Sequence, residues 1–131
     1  MNLYTRSLLQ QLKGRRLNGA GELEALIAHW DALEELVIRV FKGKSASAGD
    51  QEEHRRLRNW LQKNYPRWQA RLQPFWQQAR VAGAPPREDP FVYLLAIPQA
   101  GDFVKNWAAM QTLPAARETL NHFLVSLIQK P

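Results

Sequence analysis

The sequence predicts an all-α, single-domain bundle of five or six helices, and three observations carry that expectation. Apolar residues recur at steps of three and four along most of the chain, which is the period of one helix face. No segment alternates apolar and polar residues with the period of two expected of a half-buried strand. The 131 residues are 45% apolar and 23% charged, enough for one core and too ordinary for wholesale disorder.

Taken in order, the first helix spans about residues 2–13 and buries Leu8, Leu9 and Leu12. From Gly21 to Lys42, the residues Leu23, Leu26, Trp30, Leu33, Val37 and Val40 step 3, 4, 3, 4, 3. At about 100° per residue, Glu24, Asp31 and Glu35 fall on the opposite side, where solvated charges belong. The small polar run GKSASAG, residues 43–49, reads as a flexible connector.

Asp50 precedes Glu53 by three residues, the spacing of an N-cap carboxylate and a returning glutamate, so a long helix is expected to start there. Its stripe runs Leu57, Leu61, Tyr65, Trp68, Leu72, Phe75, Ala79. Pro66 and Pro74 each remove a backbone donor, predicting a kink or break at both. Trp60, Trp68 and Trp76 recur every eight residues, a spacing shared by the two prolines, but too few copies exist for a repeat architecture.

A second connector, AGAPPREDP at residues 82–90, ends in Asp-Pro, a cap and first-turn pair. The apolar run Phe91 to Ile97 would be a strand without a partner, so it is expected to be a buried helical turn ended before Pro98. Gly101 and Asp102 are expected to open a helix carrying Phe103, Val104, Trp107 and Met110. Pro114 is expected to open the last one, carrying Leu120, Phe123, Leu124, Leu127 and Ile128. Trp30, Trp68 and Trp107 sit on stripes and read as core, whereas Trp60 and Trp76 project toward stripe edges, where half-buried indoles mark interfaces.

Charge is unevenly distributed. The 34 residues from His54 to Arg87 hold eight cations and no acid, more than the net +6 of the chain, so the remainder is net acidic. Arg56, Lys63, Arg67 and Arg71 project together, with Trp60 near them and Arg55 adjacent in sequence. Cations that release counterions from phosphates, beside an indole that offers a stacking face, are what single-stranded nucleic acid requires. Arg55, Arg56, Trp60, Lys63, Arg67 and Arg71 are therefore the candidate nucleic-acid-binding residues. Two other readings stand beside this one: the cations solvate an amphipathic helix or pair with the acidic face of the Gly21 to Lys42 helix, or they meet an acidic protein or membrane surface.

Other chemistry is poorly represented. Cysteine is absent, which removes disulfides, thiolate metal sites and cysteine catalysis. His29, His54 and His122 form no Glu-x-x-His motif, and Glu118 and His122 read as a helical salt-bridge pair. Phosphate-cradling loops, nucleophile elbows and zinc-protease motifs do not occur, so no enzyme, metal or cofactor is expected. The N-terminus lacks the apolar stretch of a signal peptide and no run reaches the ~20 residues of a membrane span, which places the expected chain in the cytoplasm.

In size, basic charge and all-helical reading the chain resembles the small helical subunits that line nucleic-acid channels in RNA-guided bacterial effector complexes. The resemblance implies a non-enzymatic subunit or adaptor that contacts nucleic acid inside a larger assembly. The competing expectation is a protein-interaction module that uses the opposed acidic face (Glu24, Asp31, Glu35) and basic face, with self-association open.

Overall fold

Leu8, Leu9 and Leu12 line the buried face of α1 (Leu3–Lys13), as their spacing requires. The computed structural model describes residues 3–14, 20–76 and 89–129. After α1 come α2 (Ala20–Gly43), α3 (Ala48–Asn64), α4 (Pro66–Trp76), α5 (Pro90–Leu95), a 3₁₀ helix (Ala100–Lys105) and α6 (Trp107–Gln129). Among the described residues there is no strand, and with the 3₁₀ helix the element count is one above the expected upper bound.

Two long helices organise the packing. α2 lies along α3 and also meets the 3₁₀ helix, α1 and α6, while α6 carries α1, α4 and α5 on its flanks. One contiguous core results, with Leu26, Ile27, Trp30, Leu36, Val37, Leu57, Leu61, Phe103, Leu120 and Leu124 sealed from solvent. Each buried Leu or Ile contributes about 1.5–3 kcal/mol relative to exposure, so the stripes are the main stabilising term.

The turn between α2 and α3 is tighter than the connector expected at residues 43–49, because α3 already starts at Ala48. Ser47, not Asp50, is the N-cap: its hydroxyl accepts from the Asp50 amide at 3.1 Å, and the Asp50 carboxylate accepts from the Ser47 amide at 3.0 Å. Asp50 thus fills the returning position of the capping box, three residues after a better cap. Lys44 reverses the chain in the left-handed region at φ 58°.

Asp89 caps α5 by accepting from the Phe91 amide at 2.9 Å, with Pro90 in the first turn, as the Asp-Pro pair implies. The rest of that connector, like Ala79, Arg80 and Arg87, lies outside the described residues. The expected helix at Gly101 is instead a 3₁₀ helix that stops at Asn106, whose φ −111° and ψ 81° break the run. Asn106 then caps α6, its side chain accepting from the Ala109 amide at 3.0 Å. This break overturns two expectations. Trp107 is uncoupled from the Phe103 face and stands 62% exposed rather than in the core. Pro114 does not open a helix but lies inside α6, on its exposed side, between turns anchored by buried Leu113, Ala115 and Ala116.

Asp31 is the other correction. α1 and α6 cover the side of α2 expected to be solvated, so Asp31 is buried and paired with Arg117 of α6, while Glu24 and Glu35 remain exposed. Among the described residues no helix is long and apolar enough to cross a membrane.

Candidate nucleic-acid interface

The basic segment becomes two helices because Pro66 has no N–H for the Gln62 carbonyl. Tyr65 keeps helical angles, φ −62° and ψ −38°, and its carbonyl accepts from the amides of Trp68 and Gln69 at 2.8 and 3.0 Å. The ladder therefore breaks while the chain keeps turning in the same sense. Pro74 does not end α4, which runs through it as far as Trp76. Leu57, Leu61, Tyr65, Trp68 and Leu72 stay buried across the break, and Trp76, one four-residue step beyond Leu72, is buried with them rather than half-exposed.

Tyr65 anchors the junction. Its hydroxyl donates to the Asp89 carboxylate, so the α3–α4 break is tied to the cap of α5. Burial and the neighbouring carboxylate push the Tyr65 phenol far above its ordinary range, and it acts only as a donor. Gln62 donates to the Leu95 carbonyl at 3.1 Å, adding a second tie between α3 and α5.

The outer face then takes its form from what the stripe leaves over. Trp60 is half-buried and packed against the core, its indole stacked on the His29 imidazole. Its edge opens on a cleft of about 230 Å³ lined also by Glu22, Ala25, Asn64, Arg67 and Trp68. Arg56 and Lys63 flank Trp60 at four residues before and three after, both exposed, and among the described residues neither forms an ion pair. Arg67 meets Glu22 across the cleft at 3.5 Å, with both side chains more than half exposed. A pair so solvated is worth about 0–1 kcal/mol and yields readily to a better anion.

The remaining two candidates separate from this group. Arg71 lies one turn beyond Arg67 with its guanidinium over the rings of Trp68 and Phe123, 4.9 and 5.1 Å from their centroids. Arg55 points to the other flank of α3 and pairs with Glu52. Arg58, a cation in the same run, is structural: its Nε and Nη1 donate to the carbonyls of Leu95 and Pro98 at 3.0 and 3.3 Å, closing the C-terminal end of α5. The structure thus brings together Arg56, Trp60, Lys63 and Arg67, sets Arg71 beside them and removes Arg55.

Sequence reasoning missed the buried polar cluster behind α2. Arg117 donates to Asp31, to Glu34 at 3.2 Å and to Thr5 at 3.3 Å, and Thr5 donates to Asn121 at 2.7 Å. The cluster joins α1, α2 and α6 and is sealed from the basic face, so its work is structural. Among the described residues no group of three or more His, Asp or Glu side chains is placed to hold a metal.

No protein-family model matches this sequence, no curated protein matches it, and no solved structure matches its fold.

Proposed function

We propose that this chain is a non-enzymatic helical subunit or adaptor of the cytoplasm that binds single-stranded nucleic acid along α3 and α4, within a larger assembly. The observation that carries the reading is the placement of Arg56 and Lys63, exposed and without an acid partner, on either side of Trp60 at the mouth of the Arg67 cleft. A strand laid over this face would meet phosphate partners at Arg56, Lys63 and Arg67, with the cleft beside Trp60 open to one base. Displacing Glu22 from Arg67 costs little, because that pair is exposed.

The test is a salt titration of single-stranded DNA and RNA affinity. Replacing Arg56, Lys63 and Arg67 by Ala should weaken binding to all sequences and flatten the log–log salt slope by ~0.7 for each lost contact. Absence of salt-sensitive binding by the wild type at low ionic strength overturns the reading.

A second reading rests on Trp107, 62% exposed, and Leu3, 80% exposed, as large apolar side chains that suit a protein partner or a second copy of the chain. The version built on opposed charged faces loses Asp31, which Arg117 neutralises inside the protein. Light scattering across a concentration series separates self-association from a monomer.

A further inference from the structure

On the flank of α3 opposite Trp60, a cleft of about 500 Å³ opens between the first half of the helix and the Pro98–Gln99 turn. Gln51, His54 and Arg58 line it from successive turns, with Arg55 beside them. His54 is only 2% exposed, and its ring stands edge-on to Phe103 with centroids 5.3 Å apart. A buried imidazole ordinarily spends its polar edge on a hydrogen bond. Here, among the described residues, neither ring nitrogen has a partner, and the ring lines the cleft.

The other groups are set up as donors. The Gln51 carbonyl oxygen accepts from the Ala100 amide at 3.1 Å, which leaves its NH₂, beside Gly101, as the group still able to donate. The two bonds from Arg58 to Leu95 and Pro98 hold its guanidinium still and leave Nη2 unused. Arg55 reaches the rim, tied to Glu52 by an exposed pair that a stronger anion displaces.

We propose that this cleft binds the phosphoryl group of a phosphate monoester, with Gln51, His54, Arg55 and Arg58 as its donors. A tetrahedral dianion has enough acceptor oxygens for all four side chains, whereas a carboxylate held by one guanidinium would leave His54 and Gln51 unpaired. The volume lies within the ~300–1,000 Å³ of small-molecule clefts, so the cleft takes more of the ligand than its phosphoryl group. The carrier is a nucleotide-sized metabolite or the phosphorylated end of a strand. The site is on the opposite flank of α3 from Trp60 and stands or falls independently of strand binding there.

Burial holds His54 below the ordinary histidine range, Arg58 adds to that, and Asp102 of the 3₁₀ helix opposes it. A bound dianion joins Asp102 in favouring the imidazolium against Arg58 and Arg55. Binding of the dianion therefore favours proton uptake at His54, and affinity should rise as pH falls until the phosphoryl group takes up its own second proton near pH ~6.

The experiment is a nuclear magnetic resonance titration of the histidine ring signals in the full chain, with the His54 signal identified by its loss in His54→Phe, which preserves the aromatic contact with Phe103. Inorganic phosphate and adenosine monophosphate should shift the His54 signal saturably, and adenosine should not. Arg55→Ala, an exposed change that spares the fold, should weaken adenosine monophosphate binding about ten- to hundred-fold. Oligonucleotides that differ only in a 5′-phosphate identify the carrier. Discrimination between them assigns a strand end, and monophosphate binding without discrimination assigns a free small molecule; both support the phosphoryl site. Equal shifts with adenosine and its monophosphate, or an unmoved His54 signal, overturn it.

Discussion

The imidazole of His29 lies flat on the indole of Trp60, with ring centroids 3.6 Å apart and planes 3° from parallel. His29 is itself held by the Ala25 carbonyl, 2.8 Å from its Nδ1, one turn back on α2. The stack covers one face of the indole, so a nucleic-acid base can use only what remains open toward the Arg67 cleft. It also makes Trp60 a packing residue between α2 and α3, which the positions of its flanking cations alone do not suggest.

The two neighbouring tryptophans should therefore respond differently to truncation. Trp68 is 6% exposed and meets Phe123 edge-on, so Trp68→Ala should leave a cavity and cost ~3–5 kcal/mol in denaturant unfolding. Trp60→Ala loses the histidine stack from a half-buried site and should cost clearly less. If a strand stacks there, the same variant should lose ~1–3 kcal/mol of single-strand affinity. Equal stability losses for the two would mean that Trp60 is ordinary core.

Arg117 and Asp31 form a second pair whose disruption can be measured. Their side chains are 10% and 9% exposed, and Asp31 Oδ2 and Arg117 Nε have no partner in the cluster. Arg117→Met should strand a buried carboxylate and cost ~3–5 kcal/mol. The double variant with Asp31→Leu should recover much of that loss, because the buried carboxylate leaves with its cation and only the partly solvated Glu34 loses a partner. A cost for Arg117→Met below ~1 kcal/mol would place the pair with surface ion pairs.

The stripe from Leu57 to Leu72 was legible because a buried helix face repeats in the sequence whatever covers it. Asp31 and Trp107 were not, for two different reasons. A single-helix projection of α2 contains no information that α1 and α6 close over its charged side, since that depends on contacts across 86 residues. Trp107 kept a helical spacing from Phe103, but one residue, Asn106, leaves the helical region and resets the face. In the candidate site, the grouping of Arg56, Trp60, Lys63 and Arg67 follows from spacing on α3 and the start of α4. The use of Arg58 as a clamp and the burial of His54 depend on where the Leu95 to Phe103 segment crosses α3, which no local pattern encodes.

Lys44 tests the turn after α2. A non-glycine residue at φ 58° pays for contact between its Cβ and its own carbonyl, and its side chain is exposed. Lys44→Gly should relieve that strain at some cost in unfolded-state entropy, for a net gain of ~0.5–1 kcal/mol. Thermal unfolding checks it, and a loss of stability would show that the lysine side chain contributes there.

Asp50, the returning carboxylate of the α3 capping box, and Asp89, the N-cap of α5, should bend the pH–stability curve in opposite directions. The Ser47 amide, followed by the Arg39 guanidinium, holds Asp50 below the ordinary carboxylate range. Its contribution is present above the unfolded value of about 4 and is lost as pH falls through the lower folded value. Burial raises Asp89, and the bonds from Tyr65, Phe91 and Val92 only partly offset it. With the folded value raised, the native state holds a proton that the unfolded chain has released, so stability should fall as pH climbs from about 4 to the folded value and then level off. Asp89→Asn keeps an oxygen for the cap and cannot ionise, so it should remove that decline, whereas Asp50→Asn should flatten the loss at lower pH. Denaturant unfolding from pH 3 to 8 for the wild type and both variants measures the two slopes. A decline that survives in Asp89→Asn would assign it to another group.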